Sequence, residues 1–148
     1  MSLELSPVLH ERIVELSASG DAFAKVRDWE GAISKYRDAW KIIPEPKNDW
    51  EASTWVLAAI ADACFFAKYF QSGLDALRYA MTCPGGFGNP FLHLRLGQCA
   101  FEKNHTDEAA EHLARAYMLE GLKIFGSDNS KYFEFLKTRI LPPASGKW

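Results

Sequence analysis

Apolar residues recur every three or four positions along most of the chain, which is the spacing of amphipathic α-helices. Turn-forming segments interrupt the pattern at Pro44-Glu45-Pro46, at PGGFGNP and from Gly126 to Ser130. Ser6, Asp28 and Asn89 are predicted to cap the helices that follow them. The pattern predicts an all-α chain of about seven helices: Pro7 to about Val26, Trp29 to Ile43, about Trp50 to Tyr69, Ser72 to about Cys83, a fifth from Pro90, Thr106 to about Phe125, and about Lys131 to Ile140.

Small residues recur at one fixed spacing in three pairs of these helices. In each triplet the second small residue comes twelve positions after the first, and the third comes seven later. Small residues at such sites let two helix backbones pack closely. The triplets are Gly20, Ala32 and Ala39; Cys64, Ala76 and Cys83; and Gly97, Ala109 and Ala116. They predict three repeats that begin near Ile13, Leu57 and Pro90. About ten extra residues separate the first repeat from the second, mostly at the start of the third helix.

This organisation resembles the tetratricopeptide repeat, a helix-turn-helix unit of about 34 residues. The first repeat matches best, through Leu16, Ser19-Gly20, Phe23, Ala32, Tyr36, Ala39 and Pro44. The second departs most, with Cys64 at the glycine site, and the third has His93 for the usual tryptophan. The resemblance implies one domain, 1–148, folded as a right-handed superhelix. Its expected parts are repeats at about 13–46, 57–89 and 90–123, a capping helix at about 131–140 and a loose tail at 141–148.

The resemblance also implies a concave groove, lined by the first helix of each repeat, that binds a protein or peptide. Asp62 lies amid apolar residues, so it needs a partner or solvent, and Arg95 is a candidate partner. Only Arg95 matches the carboxylate clamp known in this family, whereas Asp21 and Asp62 suit a partner that offers Lys or Arg. The residues expected in the groove are Ser17, Asp21, Lys25, Asp62, Phe65, Tyr69, Phe91, Arg95, Gln98 and Glu102.

Three aromatic residues outside that set, Trp50, Trp55 and Phe87, are candidates for an interface. The alternative is that they pack the extension of the third helix onto the second repeat. The segment PGGFGNP, which contains Phe87, lacks the Lys-Ser/Thr ending of a phosphate loop and follows a helix, which favours a helix-helix turn.

Composition narrows the function classes. The chain has 148 residues, 48% of them apolar, and a net charge of −2, which argues against nucleic-acid binding through phosphate neutralisation. The three cysteines, Cys64, Cys83 and Cys99, show no metal spacing and are expected to be buried thiols. Neither an export signal nor a membrane-spanning run is evident, so a cytoplasmic location is expected.

The sequence gives no support for catalysis, a metal or a cofactor. The four histidines lack metal-ligand spacing, and Cys99 and His93 are six residues apart, which puts them on different faces of one helix. His93 is instead expected to occupy an aromatic packing site.

Protein binding is therefore the main functional hypothesis. The segments PEPKNDWEASTWVLAAI, NPFLHLRLGQ and KYFEFLK resemble small bacterial tetratricopeptide proteins, some of which serve as immunity partners of secreted toxins. A narrower hypothesis is thus an immunity protein that occludes a toxin domain. An alternative of a different class is a structural protein that self-associates, for example as a homodimer.

Overall fold

The structure is a computed structural model that describes residues 4–127 and 130–148. Within those residues it contains seven α-helices and two short 3-10 helices, with no strand, which confirms the all-helical prediction. The predicted break from Gly126 to Ser130 lies partly outside the described residues. The helices are α1 (Pro7–Lys25), α2 (Trp29–Ile42), α3 (Glu51–Phe66), α4 (Phe70–Ala80), α5 (Pro90–Glu102), α6 (Thr106–Glu120) and α7 (Ser130–Lys137), and the 3-10 helices are Lys47–Asp49 and Leu122–Phe125.

Three helices begin at the capping residues that the sequence predicts. The Ser6 hydroxyl accepts from the Leu9 amide at 3.3 Å, and Asp28 accepts from the Gly31 amide at 2.9 Å. Asn89 accepts from the Phe91 amide at 2.9 Å. Pro7 and Pro90 occupy first-turn positions, where a missing amide hydrogen costs nothing.

Some helix ends differ from the predictions because of residues with positive φ. Lys68 has a φ of 66°, so α3 ends at Phe66 rather than near Tyr69, and α4 begins at Phe70 rather than Ser72. Gly121 has a φ of 78°, which ends α6 at Glu120 and leaves the residues to Phe125 as a 3-10 helix. Lysine seldom adopts positive φ, so its identity did not reveal the first of these turns.

The same turn joins the two helices of each pair. Arg27, Lys68 and Asn104 have φ values of 62°, 66° and 63°. The residue after each donates its amide hydrogen to a carbonyl five residues back, at Phe23, Cys64 and Ala100 respectively. These matched bonds identify equivalent residues in the three pairs, which lie 41 and then 36 positions apart.

That equivalence corrects the predicted register of the second repeat. Its small-residue triplet is Ala61, Gly73 and Ala80, all buried, and not Cys64, Ala76 and Cys83. The two sets are offset by three residues, nearly one helical turn, so both fall close to the same helix face and periodicity alone did not separate them. The second repeat begins three residues before Leu57. Its longer distance from the first repeat lies in the helices, because α2 and α3 are each three residues longer than α4 and α5 respectively, whereas the link at 43–50 is one residue shorter than the link at 81–89.

The chain divides into two compact units, Met1–Gly88 and Asn89–Trp148. In the first unit α1 pairs with α2, α3 pairs with α4, and α2 also packs on α3. In the second unit α5 pairs with α6, and α7 buries Tyr132, Phe133 and Leu136. The core of the first unit contains Ile13, Leu16, Ile33, Tyr36, Ile43, Val56 and Ile60.

The C-terminal tail, which was expected to be loose, ends in a packed residue. The Trp148 ring centroid lies 6.0 Å from that of Tyr117 on α6 and 5.7 Å from that of Phe133 on α7. The last side chain thus extends the aromatic core of the second unit.

We expect Gly97→Ala to lower the free energy of unfolding by about 1–2 kcal/mol. A Cβ at Gly97 would lie 2.6 Å from Leu113 Cγ and 3.0 Å from the Leu113 backbone nitrogen. The overpacking costs about 1–3 kcal/mol, and the better helix propensity of alanine returns up to about 1 kcal/mol. Urea unfolding measures the change in the free energy of unfolding.

Gly88→Ala is the control, because a Cβ at Gly88 would meet nothing within 4 Å, and it should change stability by less than about 0.5 kcal/mol. Equal effects in the two variants would contradict the packing argument.

Candidate protein-binding groove

Helices α1 and α3 form the walls of an open groove of about 760 Å³ within the Met1–Gly88 unit. Small side chains on both helices leave the groove wide, and three charged residues and three aromatic residues, Tyr36 among them, also line it. The lining includes Ala18, Ala22, Ala59 and Ala63, the charged Asp21, Lys25 and Asp62, and the aromatic Trp29 and Phe66. The predicted groove residues Asp21, Lys25 and Asp62 therefore come together in one surface.

Two carboxylates occupy equivalent positions on the two walls. Asp21 follows Gly20 on α1 exactly as Asp62 follows Ala61 on α3, and both side chains are exposed. The Tyr36 hydroxyl donates to Asp21 Oδ1 at 2.5 Å. Burial raises the pKa of the Tyr36 hydroxyl, and the hydrogen bond and charge of Asp21, followed by the charge of Asp62, raise it further. Tyr36 therefore stays protonated and holds the Asp21 carboxylate in place.

An aromatic pair lies in the same groove, and the sequence analysis did not single it out. The Trp29 indole stacks on the Phe66 ring with centroids 5.1 Å apart and planes at 23°. Phe66 is 51% exposed. It holds the position on α3 that Lys25 holds on α1, given the spacing of 41 residues. The apolar stacking supplies a surface for a hydrophobic side chain of a ligand.

Phe65 and Tyr69, which were predicted to face the groove, do not line it. They lie 44 residues after Asp21 and Lys25, which is the spacing of the incorrect register. The Phe65 ring instead contacts the rings of Phe66 and Phe70, and the Tyr69 hydroxyl donates to the Glu30 carboxylate. A shift of three residues in the expected repeat thus moved two site residues off the observed surface.

In the Asn89–Trp148 unit, two of the four predicted groove residues have structural roles. Gln98 is fully buried and accepts from Arg95 Nη1 at 2.9 Å. Glu102 accepts from the Tyr132 hydroxyl at 2.8 Å and from Lys131 Nζ at 2.5 Å, both on α7. Gln98 is therefore a core residue, contrary to the prediction, and Glu102 ties α5 to α7.

Phe91 is the most exposed of the four predicted groove residues in this unit, at 64%, and it stays accessible on α5.

The three candidate interface aromatics differ in exposure. Trp50 is half-buried, and its indole N–H donates to the Pro44 carbonyl at 2.9 Å. Trp55 and Phe87 remain exposed. Trp50 thus packs against the 43–50 link, while Trp55 and Phe87 lie at the surface.

His93 and His112 form a buried pair that sequence spacing did not reveal. Their Nδ1 atoms lie 2.8 Å apart, and the rings stack with centroids 5.1 Å apart. His112 Nε2 lies 3.2 Å from the Glu111 carboxylate, which favours a proton on Nε2 and leaves Nδ1 to accept from His93. Burial lowers the pKa of His112, and the charge that His93 can carry lowers it further.

Other chemistry is sparse in the described part of the chain. Residues 4–127 and 130–148 contain no group of three or more His, Cys, Asp or Glu placed to hold a metal ion. None of the described helices is long and apolar enough to cross a membrane. Cys64, Cys83 and Cys99 are buried and form no disulfide, and burial raises the pKa of the Cys64 and Cys83 thiols.

Comparison with known proteins identifies the fold. No family model and no curated protein matches the chain. The tetratricopeptide repeat domain of Arabidopsis OM64 matches with a TM-score of 0.72 and 22% identity, covering 89% of this chain and 99% of that one. MamA matches with a TM-score of 0.42 and 15% identity, covering 86% of this chain and 91% of that one, which is too weak a likeness to support an argument. The chain therefore has the fold of a tetratricopeptide repeat domain.

We expect the unfolding free energy to fall as the pH drops below the ordinary histidine pKa of 6.5. The pKa of His112 is lowered in the folded protein, so the unfolded chain binds more protons in this range and acid favours unfolding. Urea unfolding at pH values from about 7.5 to about 5.5 measures how the unfolding free energy depends on pH. This range lies above the one in which carboxylates ordinarily titrate.

In the His112→Gln variant the unfolding free energy should depend less on pH than in the unmodified protein. The control is His10→Gln, at an exposed position of the Met1–Gly88 unit, and it should keep the original pH dependence. A slope that survives in His112→Gln would contradict the assignment.

Proposed function

We propose that this chain is a non-catalytic protein-interaction module whose α1–α3 groove binds a segment of another protein. The observation that carries the proposal is the combination, in one groove, of equivalent carboxylates at Asp21 and Asp62 with the Trp29–Phe66 stack. The fold of a tetratricopeptide repeat domain supports the same class of function. A cytoplasmic location is part of the proposal.

The lining of the groove defines the chemistry of the segment. A carboxylate has several acceptor sites, so Asp21 can bind a cation while it accepts from Tyr36. A lysine or arginine of the partner would lie between the walls, with its aliphatic stem against the alanines. An apolar or aromatic side chain nearby would pack on the half-exposed Phe66 ring. The volume, about 760 Å³, suits a few side chains of a peptide segment.

Two finer hypotheses concern the identity of the partner. A toxin domain with a basic surface segment would make the chain an immunity protein, and an adjoining toxin gene would support that hypothesis. A second copy of the chain would make it a self-associating protein, and sedimentation at micromolar concentration tests that alternative. Both stay predictions made from the sequence.

The test is to capture partners from a lysate with the tagged protein and to measure the affinity of the captured protein for variants. Asp21→Asn/Asp62→Asn keeps the shape of both side chains and removes their charge. Loss of charge assistance at two hydrogen bonds of about 1.5–3 kcal/mol each should weaken binding at least about tenfold.

Asp38→Asn is the matched control for this measurement. Asp38 lies on α2, does not line the groove and forms an ion pair with Lys41 at 3.8 Å, so the affinity of this variant should match that of the unmodified protein. Folding of each variant is checked by urea unfolding. A well-folded double variant that binds with unchanged affinity would contradict the groove assignment.

A further inference from the structure

A second pocket, of about 440 Å³, lies where the beginning of α1 meets the beginning of α3 in the Met1–Gly88 unit. It is separate from the groove, because the two have no lining residue in common. Trp50 and Trp55 contribute aromatic walls, and the buried Ala52 lies between them in the sequence. Glu4 and Glu51 contribute the charge.

Contacts with neighbouring groups hold the two tryptophans, and one of these groups, the ring of His10, also lines the pocket. The indole N–H of Trp50 donates to the Pro44 carbonyl, and its backbone amide donates to the Lys47 carbonyl at 3.4 Å. The ring of Trp55 meets the ring of His10 edge-on, with centroids 6.5 Å apart, and Trp55 still keeps 39% of its surface exposed. The aromatic walls are therefore in position before a ligand arrives, which lowers the entropic cost of binding.

The charge of the pocket is negative. Glu4 and Glu51 are exposed carboxylates, and the described residues that line the pocket include no lysine or arginine. Lys47, three residues before Trp50, is engaged elsewhere, because its Nζ donates to the Trp40 and Ile43 carbonyls at 2.7 Å. The positive end of α1 is partly neutralised, since Ser6 caps it and Pro7 has no amide hydrogen. The pocket therefore complements a cation.

We propose that this pocket binds an arginine side chain presented by a partner protein. A guanidinium group can stack on an indole face and at the same time form paired hydrogen bonds with a carboxylate. An ammonium group offers only a point charge and no flat face. The pocket volume accommodates one such side chain together with the neighbouring residue of a peptide. This site does not depend on the α1–α3 groove, and either can fail without the other.

The test uses N-acetyl-arginine amide as the probe and follows the five tryptophan indole N–H signals by NMR. The signals of Trp50 and Trp55 should move saturably, while those of Trp40 and Trp148, which line neither the pocket nor the groove, should stay in place. Trp29 lines the groove, so its signal reports separately on any binding of the probe there. The matched probe is N-acetyl-citrulline amide, which has the same shape without the charge and should produce no saturable shift. Equal shifts with the two probes, or shifts of all five signals together, would overturn the proposal.

Substitutions show which side chains contribute to the affinity for the arginine probe. Glu51→Gln should weaken the arginine probe about two- to fivefold, as expected for loss of one exposed ion pair. Trp55→Ala should weaken it about fivefold or more, and Trp55→Phe should restore part of the loss because a phenyl ring still offers a face. Asp21→Asn/Asp62→Asn, in the groove, should leave the probe affinity unchanged. Unchanged affinity in Glu51→Gln and Trp55→Ala, with their spectra otherwise intact, would also overturn it.

Discussion

The first and third helix pairs each depend on a close helix-helix contact that only glycine permits. A Cβ at Gly20 would lie 2.4 Å from Tyr36 Cε1, and one at Gly97 would lie 2.6 Å from Leu113 Cγ. In the first pair this approach lays the Tyr36 ring directly against α1, so that its hydroxyl reaches Asp21, one residue after Gly20. The contact that packs α1 on α2 thus also orients a carboxylate of the candidate groove.

A recurring turn then determines which side chains share a surface. Arg27, Lys68 and Asn104 adopt the same left-handed conformation, and the hydrogen bonds around them repeat in all three helix pairs. Non-glycine residues accept this conformation at a modest energetic cost, which the packed helices on either side offset. Because the turn fixes the register, Asp21 and Asp62 become equivalent, and Phe66 takes the place on α3 that Lys25 has on α1.

Periodicity and capping residues sufficed to predict the helices, since Ser6, Asp28 and Asn89 act where they stand in the sequence. The register of the second repeat could not be predicted in this way, because Ala61 and Cys64 are both small and lie almost one turn apart. That ambiguity explains why Phe65 and Tyr69 were predicted in the groove while Phe66 was missed, whereas Asp62 was found from its charge among apolar neighbours. The His93–His112 pair and the packed Trp148 depend on contacts between distant residues, for which no local spacing rule exists.

The central claim is that partners bind in the α1–α3 groove, and site-specific photocrosslinking in cells tests it most directly. A benzophenone amino acid at Phe66, in the groove, is compared with the same amino acid at Tyr79, which is 39% exposed on α4 of the same unit. Both sites carry an aromatic residue already, so the substitution is similarly conservative at each. The account predicts a crosslinked partner from position 66 and none from position 79. A partner crosslinked from position 79 alone would contradict it.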